Sequence, residues 1–283
     1  MKNFKIIGKV IVITGGSNGI GSATAKYLFD KGANIVKADI MIKKRQLIEV
    51  SEQNYKKKMM EFPLDVRDMQ SWESLFSAVA EVFGKADILI NCAGILIPGS
   101  LQELNKEQIE DQLLVNLLGP ITGSKVFLPL FKELNRGHII NIASLAGIAP
   151  IPYESVYSAS KFGLRGFSLA LAYELKNTGV KVSVICPDAV VTNQVLSEAH
   201  YENANLTFTG NLFDREYIAE NIYKTILHPR KEILITPLRG LLCKIGGNST
   251  HFMSAMLPLF DMIGRYKRNK FLNKVESEEV KKW

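Results

Sequence analysis

Cysteine and histidine are scarce: 283 residues hold three of the first and four of the second. Cys92, Cys186 and Cys243 stand far apart, and no metal-ligand or redox-pair spacing surrounds them. Neither a metal site nor a disulfide framework is expected, and a reduced, cytoplasmic setting is the simpler inference. The start, Met1-Lys2-Asn3-Phe4, leads into the first apolar run after a few polar residues and lacks the long apolar region of a secretory signal. No internal repeat or low-complexity linker divides the chain. The net charge is +7, with a pI near 9.1. A basic balance attracts nucleic acid, anionic lipid or an acidic carrier protein. No nucleic-acid module accompanies it, so no nucleic-acid partner is expected, and Lys56-Lys57-Lys58 reads as part of a solvated surface.

What is present is a hydrophobic content of 47%, enough for one large core. Apolar strand candidates alternate with helix candidates, which argues for an α/β fold with a parallel, doubly wound sheet. The run Val10-Ile11-Val12-Ile13 reads as a buried parallel strand. Thr14-Gly15-Gly16-Ser17-Asn18-Gly19-Ile20-Gly21 follows it, and Ser22 to Phe29 reads as helix. Strand, glycine turn and helix form the context of a phosphate-binding motif. Glycines admit a close backbone approach, and a helix N-terminus offers free N–H groups and a favourable dipole. A tight turn that uses glycine only for positive φ gives the same pattern.

Tyr157 and Lys161 lie four apart in a helical stretch, which puts both side chains on one face, about 6 Å apart at Cβ. A phenol is a poor acid or base near neutrality, and a neighbouring ammonium favours the phenolate. Such a pair can exchange a proton with a substrate oxygen. Tyr and Lys at this spacing also occur on ordinary solvated helices. Together with Thr-Gly-x-x-x-Gly-Ile-Gly, however, the chain resembles the short-chain dehydrogenase/reductase family over roughly its first 240 residues.

The resemblance implies a Rossmann-type single domain, 1–240, with a C-terminal helical extension, 241–283. It implies a nicotinamide dinucleotide held by Gly15, Ser17, Asn18, Gly19, Ile20 and Gly21. Asp39 falls where an acid binds the adenosine ribose hydroxyls, and a carboxylate there repels a 2′-phosphate. NAD is therefore expected, with NADP as the alternative. Lys43, Lys44 and Arg45 are read as the solvated start of the next helix rather than as a phosphate clamp. Asp65 and Val66 resemble the adenine-contacting pair. Asn91, Ala93 and Gly94, interrupted by Cys92, resemble the turn that lines the cofactor cleft. Asn116 matches an asparagine that holds a water near the active-site lysine. Ser144, at a predicted strand end, would hold a carbonyl oxygen while Tyr157 moves the proton. Lys161 would lower the Tyr157 pKa and bind the nicotinamide ribose. Pro187 and Thr192 match the nicotinamide-contacting segment, although Asp188 replaces the usual glycine and puts the local backbone in question. Homo-oligomers are common in the family.

The substrate side is less regular. Ile148, Ala149, Pro150 and Tyr153 are expected to line the pocket, and the segment from Asn193 to Phe213 to cover it. This mainly apolar lining favours a hydrophobic alcohol or carbonyl, such as a steroid, retinoid or long-chain lipid. An NADPH-dependent 3-oxoacyl reductase and a catalytically silent dinucleotide-binding sensor or scaffold are the alternatives. Glu232 to Thr236 reads as the last strand. Beyond it, Met253, Met256, Leu257, Phe260 and Ile263 recur at helical spacing, followed by Arg265, Lys267, Arg268 and Lys270. An extra helix packed on the domain, or a peripheral helix on anionic lipid, fits this pattern. Polar breaks at Asn248 to His251 and at Pro258 argue against a spanning helix.

Overall fold

The computed structural model describes residues 6–52, 55–247 and 249–277; the Met1 to Phe4 start, the Asn248 break and Trp283 lie outside them. The strands are β1 (Val10–Thr14), β2 (Asn34–Asp39), β3 (Gln46–Glu52), β4 (Tyr55–Pro63), β5 (Ile88–Asn91), β6 (Gly137–Ile142), β7 (Val180–Cys186) and β8 (Glu232–Leu234). They form one sheet in the order β3-β4-β2-β1-β5-β6-β7-β8, parallel except where β3 meets β4. The helices are α1 (Gly19–Asp30), α2 (Met69–Phe83), α3 (Lys106–Leu113), α4 (Gly119–Glu133), α5 (Ser155–Glu174), α6 (Asn193–Ala199), α7 (Arg215–Leu227), α8 (Pro237–Gly247) and α9 (Thr250–Glu276).

Strand alternation explains the two layers. Val10 and Val12 of β1 face one side of the sheet, and Ile11 and Ile13 face the other. On the first side they meet Trp72 and Leu75 of α2, Phe127 and Phe131 of α4, and Leu171 of α5. On the second they meet Leu28 of α1 and Ile218, Ile222 and Ile226 of α7. With both faces covered, the central strands read as continuous apolar runs. The crossovers leave the carboxyl edge open between α1, α5 and α6, which is where such sheets bind ligands.

Two expectations fail at the opposite flank. The segment after Arg45 is not a helix: β3 pairs with β4 from Gln46↔Glu61 to Glu52↔Tyr55, an antiparallel hairpin at the sheet edge. Ile48 and Val50 are β-branched and favour the pleated surface. Lys57, assigned above to a solvated surface, is 5% exposed; its Nζ donates to the Phe29 carbonyl at 3.2 Å and lies 4.4 Å from that ring's centroid. A flexible aliphatic stem allows this burial while the ammonium keeps its partners.

The C-terminal helices are docked. α8 crosses residue 240, and Glu232 joins it to α5 through Lys244 and Arg165. α9 lies over the 206–209 turn: Asn205 donates to Asp261 at 2.8 Å, Arg268 to the Tyr201 carbonyl at 2.9 Å, and Phe271 packs on Phe208.

Candidate active site

A cavity of about 1000 Å³ runs along the carboxyl edge of the sheet. One end is the glycine turn. Gly15 has φ +67°, and a Cβ there would come within 2.9 Å of the Ala93 backbone. Thr14 Oγ1 fixes that neighbour by accepting from the Cys92 and Ala93 N–H groups, both at 3.1 Å. α1 starts at Gly19 with no side chain capping it, so its first N–H groups face the cavity uncapped. Asp39 stands at the rim. Its two carboxylate oxygens accept from the Ser17 and Met41 N–H groups, each at 2.9 Å, which fixes its direction. Arg45 is held 2.8 Å from Glu81 of α2, so it does not act as a clamp beside Asp39. Asp65 and Val66 line the next stretch. Arg67 grips Asp65 and Asp111, and its guanidinium holds the Asp65 carboxyl below the usual carboxylate range.

Ala93, Gly94, Pro187 and Thr192 border the middle of the cavity. Ser17, Asn91 and Asn116 do not line it. Ser17 contributes only its N–H, to Asp39. Asn91 points into the sheet instead, donating to Asn141 Oδ1 at 2.8 Å while Asn141 donates to Ser168. A polar side chain at the end of a central strand must find buried partners, and these are they. Asn116, on a π-helical turn spanning Leu114–Leu118, is fully buried and spends its amide on Ile95 and Ser160. It nevertheless flanks Gly94 together with Lys161: a Cβ at Gly94 would lie 3.3 Å from Asn116 Oδ1 and 3.5 Å from Lys161 Nζ. π-Bulges of this kind recur at functional sites.

Ser144 at the end of β6 and Tyr157 and Lys161 on α5 converge on the cavity wall. Lys161 Nζ donates to the Ile142 carbonyl at 3.1 Å and lies 5.5 Å from the Tyr157 ring centroid. The expected acidified phenol is not what the protein alone produces. Burial, then the charge of Glu154, pushes the Tyr157 pKa up; hydrogen bonding by Ser144 and Gln194 opposes this without overcoming it. Burial also lowers Lys161 to about 8, which weakens the cation expected to act on the phenol. Tyr157 thus holds its proton.

The Asp188 substitution has a physical explanation. Its backbone is not in the positive-φ region, and its carboxylate lies 2.7 Å from Arg239 Nε of α8. Arg239 also donates to Thr209 at 2.7 Å. The residue that replaces glycine therefore ties the C-terminal extension to the site.

Sequence reasoning missed part of the substrate side. Ala149 and Pro150 line it as expected, but Ile148 is in the core and Tyr153 turns outward against Tyr201, 6.1 Å between centroids. Gln194, Glu198, Leu206 and Thr207 come from the covering segment, which its broken strand-helix alternation did signal. Glu154 has no such signal. Met253, Phe260 and Ile263 of α9, with Leu242 and Ile245 of α8, close the apolar end. The helical stripe thus turns partly inward. Two of its basic followers are also committed to the protein: Lys267 donates to the Thr209 and Gly210 carbonyls, and Arg268 to Tyr201.

A glycine cradle with no room for a Cβ, an uncapped helix start, a fixed carboxylate at the rim and a buried Tyr-Lys pair at the far wall fit a nicotinamide dinucleotide. These features define a dinucleotide-dependent oxidoreductase. The family model for short chain dehydrogenases matches residues 9–202. Human 15-hydroxyprostaglandin dehydrogenase [NAD(+)] is 36% identical over 203 residues, covering 69% of this chain and 73% of that protein. The 3-ketodihydrosphingosine reductase of Bacteroides thetaiotaomicron is 32% identical over 241 residues, covering 84% and 83%. A Burkholderia phymatum short chain dehydrogenase/reductase solved with NAD is similar in fold, with a TM-score of 0.75 at 24% identity over 88% of this chain and 96% of that one. The chain belongs to the short-chain dehydrogenase/reductase family and is an NAD(P)-dependent oxidoreductase.

Proposed function

We propose that the protein interconverts a hydrophobic secondary alcohol and its ketone with NAD(H), the substrate being a long-chain or polycyclic lipid-like molecule. The observation that carries this reading is the cavity itself. Its Ser144–Tyr157 wall continues into an apolar end closed by Met253, Phe260 and Ile263. A bound nicotinamide supplies or accepts the hydride. The chain does the rest. Ser144 and Tyr157 hold the substrate oxygen, and Tyr157, which keeps its proton in the buried site, gives it to the oxygen during reduction. Lys161 is the nearby cation that favours the phenolate when the reaction runs as an oxidation. Asn116 is a positioning residue: it holds Ile95 and Ser160, one residue from Lys161. A screen of ketones and alcohols of increasing chain length and ring number tests the reading. A rise in kcat/KM with apolar size is expected, and a preference for small polar carbonyls overturns it.

Asp39 supports NAD over NADP. Its carboxylate is fixed by two N–H groups at the rim, and Arg45 is tied up elsewhere. The unmodified protein is expected to favour NADH over NADPH by at least about tenfold, worth about 1.4 kcal/mol. Asp39→Ala is expected to bring the ratio of kcat/KM values close to one. A native preference for NADPH removes the assignment.

The reading extends to a peripheral site of action on the cytoplasmic face of a membrane. Leu238, Leu241, Leu242 and Ile245 of α8 are all more than half exposed, and the last two also line the cavity. An apolar rim continuous with an apolar cavity, on a protein of net charge +7, suits an anionic lipid surface. Leu238→Glu combined with Leu241→Glu is expected to abolish sedimentation with phosphatidylserine-containing vesicles while NADH affinity is kept. Equal sedimentation of both proteins, or none by the unmodified one, removes the membrane role.

A further inference from the structure

Beside Tyr157, on the substrate side, two carboxyl groups are buried together. Glu154 immediately precedes α5 and is 2% exposed; Glu198 lies on α6 and is 1% exposed. Both line the cavity. Thr207 Oγ1 donates to Glu154 Oε1 at 3.0 Å. The two carboxyls lie within hydrogen-bonding reach of each other, and Glu154 Oε2 and Glu198 Oε1 find no other partner among the described residues. Neither carboxyl forms an ion pair with a lysine or arginine there.

Burying two carboxyls without a cation is costly, and that cost is offset in the empty protein by keeping a proton on the pair. Burial raises both groups, Glu154 strongly, and each feels the other. Such an arrangement does nothing for the fold that an apolar pair would not do better. It also opposes the expected chemistry, because the charge of Glu154 makes Tyr157 harder to ionise. A ligand that brings its own positive charge removes both penalties.

The geometry points to a substrate ammonium group bound between Glu154 and Glu198. The inference rests on the oxidoreductase reading above and narrows it to long-chain amino alcohols and amino ketones. An ammonium offers three donors, and it takes the place of the proton that the two facing carboxyls share in the empty protein. Glu154 stands three residues before Tyr157, at the cap position of α5. The charge of Glu154 acts on Tyr157, so the nitrogen is placed close to the carbon whose oxygen meets Tyr157 and Ser144. The apolar tail then runs toward Leu206, Met253 and Phe260, which line the same cavity. A hydroxyl in place of the amine leaves the pair's charge uncompensated. An acidic headgroup is repelled.

The test compares three alcohols of equal chain length as substrates for oxidation with NAD: a 2-amino-3-ol, the matching 2,3-diol and the plain 3-ol. The unmodified protein is expected to favour the amine by at least about tenfold in kcat/KM. In Glu154→Gln combined with Glu198→Gln, that ratio is expected to fall to about one or below. Because the readout is a ratio within each protein, a general loss of activity does not blur it. Should the double variant fail to fold, inhibition of the unmodified protein decides the matter. Dodecylamine is expected to compete with the plain alcohol at least about tenfold more tightly than dodecanol. Equal or better use of the diol or plain alcohol, or equal inhibition by amine and alcohol, overturns the amine site while leaving the apolar-substrate reading intact. If none of the three alcohols is oxidised and none of their ketones reduced, the apolar-substrate reading falls as well.

Discussion

Tyr157→Phe is expected to lower turnover by about three orders of magnitude while NADH binds within a few-fold of its normal affinity. The ring is buried on the cavity wall, so removing the hydroxyl leaves its packing in place and deletes one O–H. That O–H keeps its proton in the buried site, so it is the group able to protonate a forming oxyanion. Ser144 cannot substitute. It can hydrogen-bond the substrate oxygen, but its Oγ already accepts from the Ala146 N–H at 3.1 Å and it also pairs with Tyr157 itself. Ser144→Ala should accordingly cost less than Tyr157→Phe. Steady-state reduction of a long-chain ketone, paired with NADH fluorescence titration, separates chemistry from binding. Retention of a tenth or more of the turnover by Tyr157→Phe takes the phenol out of the mechanism.

Gly21→Ala is expected to have the largest effect on cofactor affinity. Gly21 sits in the first turn of α1, and a Cβ there falls on the Gly15 carbonyl oxygen. This is backbone against side chain, with no flexible group to swing aside. Gly15 cannot yield either, since its positive φ and its approach to Ala93 fix the turn. The strand-to-helix turn must open, which displaces the N–H groups that face the cavity. Dinucleotide affinity should fall by about a hundredfold, with a loss of about 3 kcal/mol in stability from overpacking. Gly166→Ala is the matched control. It lies on an exposed stretch of α5 with no atom within 4 Å of the added Cβ. It should leave affinity unchanged and raise stability by about 0.5–1 kcal/mol. Denaturant melts and fluorescence titrations of both variants give the comparison, and normal NADH binding by Gly21→Ala contradicts the cradle.

The parts of the site that were legible in the sequence are those governed by local backbone geometry. Thr14 to Gly21 is a strand, a turn and a helix start that are contiguous in the chain, and the turn needs glycine for reasons visible in a few residues. Tyr157 and Lys161 share one helix, so helical periodicity alone set their separation. Asp39 ends a strand, and the end of a strand in this architecture is a ligand edge. What was not legible is a side chain's set of partners, which depends on distant neighbours. Asn91 and Asn116 have the expected residue type at the expected place, yet Asn141, Ser160 and Ile95 claim their amides. Lys57 lies in a basic run that reads as solvated, but it is buried with its ammonium over the Phe29 ring. The helix expected after Arg45 lost to a hairpin because β4 offered an open edge to pair with.

By itself, then, the chain determined the family, the carboxyl-edge site and the Tyr157–Lys161 pair, because those follow from spacing within single elements. Only the tertiary structure decided how that pair ionises, since burial and the charge of Glu154 raise Tyr157 while burial lowers Lys161. It alone brought Glu154 to Glu198 across forty-four positions, and it alone turned the α9 stripe inward to close the cavity. Electrostatic energy and burial depend on which surfaces meet, and that is settled by how the layers and the C-terminal helices pack.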